Sequence, residues 1–493
     1  MAVQYAFGKI VTQGLDLNVD AADPTSYPGS GTTWTSVVNR SITGSLVSCS
    51  YSSDFKGGIV FNNPSASVEF PGTVANYGTG SFTVEMAFRP SQIEGIHYLV
   101  SKNSGSYPNW GVYLSGSGGS GKLWAEYNID ASVSCSVSSS TTFETGSNYF
   151  VDTVFSPFER RAYISVEGNY DAISTVGNGT GSLTTTGSFF LGNLTVSSSQ
   201  AYSGSLYNTK VYSTFTSGLS NFKSIATRIN KPVTTVNSAL ALIVGGGGSG
   251  GGQLGISGGG GAGGFVITPF ILTPGAYTVN VGAGGNQVTS GNGNNGQSSS
   301  LADIIAYGGG AGGGYVNQPG FDGASGGGGG ASNSGATLAA GSAIYGSQGN
   351  NGGTGGTITT AGGGGGAGAP GQSSVGLGRS GNGGDGLPSV IPGIVTYYAG
   401  GGGGGGYTAK GYGGLGGGAD GSDGNGIAGI PNTGGGGGGG AYQVPIKGGA
   451  GGSGIVIIRY SGVPIATGGT ITQIGGDTIH TFTETGSHTF TVF

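Results

Sequence analysis

The chain has 493 residues, of which 117 are glycine, 24 tyrosine and 20 phenylalanine, while only 8% are charged. Disordered chains usually combine high charge with few aromatic residues, so this composition favours a folded protein of two or three domains. Lysine and arginine number 16 against 21 acidic residues, giving a net charge of -5. Because no basic run is present to neutralise phosphates, we exclude nucleic acid as a partner.

Targeting and redox signals are weak. The first residues, MAVQYAFGKIVTQ, lack a charged segment followed by an apolar block, so the sequence predicts no secretory signal and synthesis in a cytoplasm. The most apolar stretch, from Phe265 to Leu272, contains Pro269 and is too short to span a bilayer, so no membrane insertion is expected. Cys49 and Cys135 are far apart, and free thiols are favoured over a disulfide.

Changes in glycine content divide the chain. Glycine is ordinary before Pro232, dominates from Gly245 to Gly454 and is moderate after Ser461. These changes predict a first domain at 14–230, a glycine-rich domain at 239–462 and a C-terminal module at 463–493, with an N-terminal segment at 1–13 and a linker at 231–238.

The first domain has the pattern of short β-strands separated by turns. Apolar residues alternate at Phe82, Val84, Met86 and Phe88, and only Leu219–Asn230 shows a helical period. Regularly spaced strands of this kind predict an antiparallel β-sandwich.

The segments GLDLNVDAADPTSYPGSGTTW, FTVEMAFRP and YSGSLYNTKVYSTFTSGLSNFKSIA resemble a concanavalin A-like (laminin-G-like) jelly roll over Gly14 to about Ile229. The resemblance implies a domain that binds carbohydrate or holds assemblies together, sometimes with calcium. The opening segment, GLDLNVDAADPTSYPGSGTTW, resembles one that is common near the start of bacteriophage structural proteins. We therefore expect the preceding residues, 1–13, to be a virion-attachment segment that binds other virion proteins.

Carboxylates were considered as catalytic groups because enzymes also use this sandwich. Retaining glycosidases need two carboxyl groups about 5 Å apart. Glu85 in FTVEMAF has no second carboxylate at an alternate position of its strand, and Glu126 has only Asp130 four residues later. We therefore predict that the chain is not an enzyme, with a polysaccharide depolymerase kept as an alternative.

The glycine tracts predict packed polyglycine-II helices. This helix has three residues per turn and no internal hydrogen bonds, so bare chains can approach and bond laterally. The prediction places pure glycine in the interior, at Gly362–Gly366, Gly401–Gly406 and Gly434–Gly440, and a substitution at every third residue on the margin. Marginal candidates share that spacing and are Asn351, Thr354 and Thr357; Asn382 and Asp385; Tyr412 and Leu415. A collagen helix is excluded because continuous Gly-X-Y is absent, and a flexible linker does not explain apolar segments such as GAYTVNV.

Apolar strands frame this region. SALALIVGGGG at 238–248 and GGSGIVIIRYSG at 451–462 are predicted to pair with each other. The region from Leu240 to Ser461 is similar to the glycine-rich adhesins at the tips of T-even-like phage tail fibres. That resemblance implies a rigid block of stacked polyglycine helices with loops at one end that touch the bacterial surface.

Aromatic residues that interrupt the tracts are the candidate ligand-binding groups. Tyrosine combines a stacking surface with a hydroxyl group, which suits sugars and protein surfaces. The candidates are Tyr315, Tyr345, Tyr397, Tyr398, Tyr407 and Tyr412. The alternative for each is that its ring covers an edge of the glycine block.

Other signals are weaker. Asp420, Asp423 and Asn425 could hold calcium but fit no known loop pattern, and the many G-x-G-x-x-G matches follow from composition, so we predict no metal and no cofactor. At the C-terminus, TIHTF, TETGS and HTFTVF predict a β-hairpin that pairs with the Leu240–Val244 strand.

The predicted fold class is mainly β: a concanavalin A-like antiparallel β-sandwich, a glycine-rich domain of packed polyglycine-II helices framed by strands, and a C-terminal β-hairpin. The predicted function is that of a phage fibre or spike protein, located in the virion and homo-oligomeric, which attaches to a bacterial surface glycan or outer-membrane protein. The alternative from another class is a purely structural fibre or decoration protein that binds no receptor.

Overall fold

The computed structural model describes residues 14–493 except for 79, 105–106, 131–132, 158, 176, 178–182, 184, 195–199, 214–228, 230–236, 253–254, 335, 357, 376–377, 408 and 442–446. The predicted attachment segment 1–13 and nearly all of the predicted helix at Leu219–Asn230 lie outside these residues. A search of the described residues found no helix long and apolar enough to cross a membrane.

Two compact units make up the chain. The first contains residues 1–239, 460–463 and 475–477, and we call it the sandwich unit. The second contains residues 240–459, 464–474 and 478–493, and we call it the glycine-rich unit.

Two antiparallel sheets form the sandwich unit. Its strands are β1 (Leu15–Asp20), β2 (Thr33–Thr35), β3 (Thr43–Val47), β4 (Ser50–Ser52), β5 (Gly58–Phe61), β6 (Ser67–Phe70), β7 (Phe82–Pro90), β8 (Gly95–Ser104), β9 (Tyr107–Ser117), β10 (Ser120–Asp130), β11 (Val133–Glu144), β12 (Tyr149–Ser156), β13 (Arg161–Val166), β14 (Asn169–Ile173), β15 (Phe189–Leu191) and β16 (Gly204–Tyr212). Sheet 1 has the order β14-β13-β12-β7-β16-β5-β4, with β1 also paired to β16. Sheet 2 has the order β11-β10-β9-β8-β15-β6-β3-β2.

Alternation along the strands builds the core of the sandwich. Phe82, Val84, Met86 and Phe88 of β7 belong to one buried cluster with side chains of sheet 2, including Trp110 of β9. The rings of Phe82 and Trp110 have centroids 4.9 Å apart. The predicted antiparallel β-sandwich is therefore confirmed. Cys49 and Cys135, which the sequence also predicts to be unpaired, are free thiols.

The strands of the glycine-rich region lie in three sheets. They are β17 (Asn237–Val244), β18 (Phe265–Leu272), β19 (Gly275–Val281), β20 (Ser299–Leu301), β21 (Ile304–Ala306), β22 (Leu387–Ser389), β23 (Thr396–Tyr398), β24 (Ile455–Ser461), β25 (Ala466–Thr467), β26 (Thr470–Ile474), β27 (Asp477–Phe482) and β28 (Gly486–Val492). The sheet orders are β18-β17-β24-β27-β26, β21-β20-β19-β28-β25 and β22-β23. The framing strands pair as predicted, with Leu240 opposite Arg459 and Val244 opposite Ile455.

The C-terminal strands depart from the predicted arrangement. A hairpin is present, but β26 and β27 form it, whereas the TETGS segment leads from β27 in one sheet to β28 in another. The strand β17 therefore neighbours β24 and β18, and the predicted pairing of the terminal hairpin with Leu240–Val244 is wrong within a single chain. Thr-rich alternation allows both arms to be strands but does not determine which edge each strand joins.

Between these strands, the glycine tracts hydrogen-bond to one another with a repeat of three residues. In the tract 245–252, successive N–H groups donate to three different tracts in rotation. Gly245, Gly248 and Gly251 donate in turn to Gly264, Gly261 and Gly258. Gly246, Ser249 and Gly252 donate to Gln297, Asn294 and Gly291. Gly247 and Gly250 donate to Gly452 and Gly449. A donor that returns to the same neighbour after three residues identifies a helix of three residues per turn, the polyglycine-II conformation.

Six neighbouring tracts surround the tract 257–264. Its N–H groups donate to carbonyls in 434–440, 307–313 and 362–365, and its carbonyls accept from N–H groups in 245–251, 325–328 and 402–405. The tract 362–365 runs parallel to it, since Gly259 and Ala262 donate to Gly362 and Gly365. Each tract is thus ordered by lateral bonds, and the interior tracts predicted from unbroken glycine runs are buried.

The contacts leave no space for a side chain in the interior. A Cβ atom placed on Gly260 would lie 2.1 Å from the carbonyl oxygen of Gly248. On Gly364 or Gly436 it would lie 2.0 Å from the carbonyl oxygen of Gly260. Real Cβ contacts are never this short, so glycine is the only residue compatible with these positions.

At the margin of the bundle, side-chain oxygens accept backbone N–H groups that have no neighbouring tract to bond to. Asn382 Oδ1 accepts the N–H of Tyr412 at 2.9 Å, and Asp385 Oδ1 accepts the N–H of Leu415 at 2.9 Å. Both donors and both acceptors are three residues apart, which matches the predicted marginal spacing.

We expect Gly260→Ala to lower the free energy of unfolding by about 3 kcal/mol, because the new methyl group would force the carbonyl of Gly248 out of the lattice. Gly378→Ala is the control, since a Cβ atom at Gly378 meets no heavy atom within 4 Å. Chemical unfolding of the full chain measures both. Equal stability of the two variants would show that the tracts are not closely packed.

Candidate functional site

The polyglycine bundle has two ends. At one end, which we call the strand end, Gly245 and Gly264 bond to each other directly beside β17 and β18. At the opposite end, which we call the free end, Gly251 bonds to Gly258. The loops that follow Gly314, Ala331 and Gly406 leave the bundle at the free end, because their tracts bond there to the segment 256–258.

The six candidate tyrosines are divided between these ends. Tyr315 and Tyr407 directly follow tracts that finish at the free end. Tyr397 and Tyr398 lie in β23 at the strand end, where the following residue, Ala399, bonds to Thr433. The ring of Tyr345 stacks at 3.9 Å on Tyr307, whose carbonyl accepts the N–H of Gly264 at the same end.

Tyr412 occupies a third position, on the side of the bundle. Its neighbours Gly411 and Gly414 bond to Gly404 and Gly401, and the Arg379 guanidinium lies 5.9 Å from the ring centroid. The six tyrosines therefore do not form one cluster, and their role in ligand binding stays a prediction.

Burial separates rings that cover the bundle from rings that face solvent. Tyr398 is 4% exposed, and burial raises the pKa of its hydroxyl group to about 12. Tyr315 is half-buried and packs on a small apolar cluster formed by Ile256, Ala331, Ala361 and Ala441. Tyr407 and Tyr412 are exposed, so they can contact another molecule without rearrangement.

Strained and exposed apolar residues mark the free end. Val316 has φ of 66° and Ile358 has φ of 39°, and these β-branched side chains are 41% and 51% exposed. Left-handed backbone at such residues costs about 1–3 kcal/mol and is concentrated at functional sites. Sequence reasoning selected tyrosines and missed these two positions, although Val316 lies in the YVNQPGFD segment that it singled out.

Ser332 holds both strained loops in place. Its hydroxyl group donates to Asn317 Oδ1 at 2.9 Å, and its carbonyl oxygen accepts the N–H of Ile358 at 2.7 Å. Asn317 also has a left-handed φ, of 63°. Two loops from different tracts thus present apolar side chains in fixed positions at the free end.

Two of the three residues considered for calcium, Asp420 and Asn425, have other roles. Asp420 Oδ1 accepts the N–H of Gly413 at 2.8 Å, and Asn425 Oδ1 accepts the N–H of Lys447 at 3.0 Å. These oxygens compensate for missing tracts at the margin of the bundle. Within the described ranges, no three His, Cys, Asp or Glu residues are grouped as metal ligands.

Glu85 in the sandwich unit has a second carboxylate beside it on the neighbouring strand. Glu85 of β7 lies directly opposite Asp152 of β12, and both are buried. Directly opposite residues of an antiparallel pair have Cβ atoms about 4.5–5.5 Å apart. Glu85 also forms an ion pair with Lys210 at 3.6 Å. Sequence reasoning looked for the second carboxylate along the same strand, whereas the adjacent strand supplies it.

Part of the chain matches the model of a known protein family. The model of a glycine-rich domain family matches residues 226–461, just under half of the chain. No curated protein sequence matches the chain.

Several solved structures are similar at low identity. Trypanosoma rangeli sialidase is 16% identical, with a TM-score of 0.34 over 45% of this chain and 35% of that chain. The binding domain of Paraclostridial Mosquitocidal Protein 1 is 12% identical, with a TM-score of 0.35 over 53% and 65%. A pentraxin from Limulus polyphemus is 17% identical, with a TM-score of 0.25 over 34% and 84%.

These likenesses concern the fold alone, and this chain spans about a third of the length of the sialidase. The fold is an antiparallel β-sandwich joined to a region that matches a glycine-rich domain family. The expectation that the chain is not an enzyme is contradicted by the sialidases among the similar structures and is withdrawn. The ground for that expectation considered only the strand of Glu85, whereas Asp152 lies opposite it on β12. At 16% identity the likeness assigns no activity to this chain.

We expect Val316→Asn to raise the free energy of unfolding by about 1 kcal/mol, because asparagine tolerates the left-handed backbone that strains valine. Val375→Asn is the matched control, since Val375 is 73% exposed and its φ is not left-handed. Chemical unfolding compares the two. Equal effects of both substitutions would contradict the assignment of strain to Val316.

Proposed function

We propose that this chain is an attachment protein of a bacteriophage virion, a fibre or spike component whose free-end loops bind a glycan or protein on the bacterial surface. The observation that carries the proposal is the clamped pair of loops at Ser332, which exposes Val316 and Ile358 on strained backbone. Strain of this kind persists only where the surrounding structure over-determines it, and here the polyglycine bundle does so.

The rigidity of the bundle supports this role. Loops that are already ordered lose little conformational entropy on binding, so a larger part of their contact energy appears as affinity. Val375 and Tyr407 are also exposed at the free end. Val375 is placed there by the N–H of the preceding Ser374, which bonds to Thr354, four residues before Ile358. Aromatic and apolar groups of this type commonly supply the central contacts of an interface.

The resemblances carry the virion part of the proposal. The region from Leu240 to Ser461 is similar to phage tail-fibre adhesins, and the start of the chain resembles phage structural proteins. We propose that residues 1–13 bind other virion proteins and that the chain assembles as a homo-oligomer. Gold labelling of purified particles with an antibody to this chain tests its presence in a virion.

Matched substitutions at the two ends test the binding surface. We expect Val375→Ser with Tyr407→Ala, at the free end, to lower retention of the labelled full chain on susceptible bacteria by about tenfold or more, because hot-spot truncations cost 2 kcal/mol or more. The control is Ile394→Ser with Tyr345→Ala at the strand end. Its two side chains are 71% and 39% exposed, against 73% and 39% for the free-end pair.

Three outcomes of this experiment are informative. Loss of binding in the free-end variant alone supports the proposal. Equal loss in both variants contradicts the assignment of binding to the free end. If the antibody to this chain labels virions but the chain is not retained on the bacteria that those virions infect, the chain would be a structural fibre or decoration protein.

A further inference from the structure

A row of aromatic side chains crosses the outer face of sheet 2 in the sandwich unit. On β9, Trp110, Val112 and Leu114 point into the core, so Tyr113 points outward. Tyr98 of β8 and Trp124 of β10 lie directly opposite Tyr113 on either side. The three rings therefore occupy adjacent positions on three neighbouring strands.

The three rings are close neighbours, and Tyr98 is the buried member at 5% exposure. The centroids of Tyr98 and Tyr113 are 5.0 Å apart, and the planes are inclined by 45°. Those of Tyr113 and Trp124 are 6.2 Å apart, and the planes are parallel within 2°. Tyr113 and Trp124 are half-buried, so part of each ring remains accessible to solvent.

A carboxylate lies beside this row. Glu126 of β10 accepts the hydroxyl group of Tyr98 on Oε1 at 3.1 Å and that of Tyr113 on Oε2 at 3.2 Å. Tyr98 reaches it by lying over Gly111, where a Cβ atom would be 2.8 Å from the ring. We call Tyr98, Tyr113, Trp124 and Glu126 the aromatic-carboxylate patch.

The patch is costly as a purely structural feature. Burial raises the pKa of Glu126, although the two tyrosine hydroxyl groups act in the opposite direction. In the described part of the chain, no Lys, Arg or His forms an ion pair with Glu126. A solvent-facing sheet surface is ordinarily stabilised by threonine or valine without any desolvated charge.

We propose that the aromatic-carboxylate patch is a binding site for a neutral glycan, with a pyranose ring lying on Tyr113 and Trp124 and sugar hydroxyl groups donating to Glu126. Each carboxylate oxygen accepts one tyrosine hydroxyl group and keeps capacity for a further donor. Ser138 lies opposite Trp124 and Ser136 opposite Glu126, so further hydroxyl groups border the site on β11.

The shape of the patch favours a sugar over an organic cation. Recognition of a quaternary ammonium group uses rings that enclose the cation as a cage. Here the rings lie side by side on a sheet, and the rings of Tyr113 and Trp124 are parallel. The partly exposed rings of Tyr113 and Trp124 beside a carboxylate suit a pyranose, which offers C–H groups to a ring and hydroxyl groups to Glu126.

This site goes beyond the proposed function. It lies in the sandwich unit and uses none of the free-end loops. Loss of glycan binding and loss of attachment to bacteria can therefore be observed separately.

Calorimetric titration of the full chain with cellohexaose, laminarihexaose, maltohexaose and chitohexaose tests the proposal. We expect at least one hexasaccharide to bind, Trp124→Ala to abolish that binding and Glu126→Gln to weaken it about tenfold. Tyr113→Phe keeps the ring and removes one hydroxyl group, so it provides a second variant if Trp124→Ala does not fold. Phe493→Ala, in the glycine-rich unit, is the control with unchanged affinity, because Phe493 is an exposed ring outside the patch and outside the candidate ligand-binding residues.

Tryptophan emission gives an independent readout. Trp34 and Trp110 are fully buried, so a change in emission on sugar binding reports on Trp124 and should disappear in Trp124→Phe. The proposal is overturned if none of the four sugars binds at millimolar concentration, or if binding is the same in Trp124→Ala and Glu126→Gln as in the unaltered chain. Binding of choline chloride at these residues without sugar binding would overturn it in favour of a cation site.

Discussion

A buried peptide group needs a hydrogen-bond partner, and a three-residue helix provides none within itself. In the interior of the polyglycine bundle, this requirement is met by hydrogen bonds between tracts. The tract 257–264 donates to three neighbours and accepts from three others. No tract can therefore be ordered alone, and the absence of side chains is what lets the tracts approach closely enough to satisfy one another. The composition of the chain, with 117 glycines and few charges, follows from this one constraint.

The same constraint explains where side chains occur. In the interior a Cβ atom would displace a neighbouring carbonyl group, so large residues are confined to margins and ends. On the margins they substitute for a missing tract, as Asn382 does for the N–H of Tyr412. At the ends of the bundle, side chains do not have to take the place of a missing tract. Strained backbone at Val316 and Ile358 can persist there because ordered tracts fix both ends of each loop.

Much of this fold could be predicted from the sequence because its signals are local. Unbroken glycine runs indicate interior tracts, substitutions three residues apart indicate margins, and apolar alternation indicates the sandwich strands. What the sequence could not show depends on relations between distant segments. Glycine tracts carry no side chains that distinguish one neighbour from another, so the division of the six tyrosines between two ends and a side was not predictable. The opposition of Glu85 and Asp152 likewise depends on strand order, which alternation does not specify.

Lateral bonding also separates the scaffold from the segments that it displays. A polyglycine-II helix offers donors and acceptors in three directions at every turn, and its neighbours can run either way. The tract 257–264 lies antiparallel to 245–251 and parallel to 362–365 within one lattice. A connecting loop therefore only has to return its chain to an open position among the neighbouring tracts, and the next tract can run in either direction. Loops at the free end can change in length and sequence while the bundle stays intact, whereas in the sandwich unit a new surface residue must still fit the two-residue alternation that builds the core.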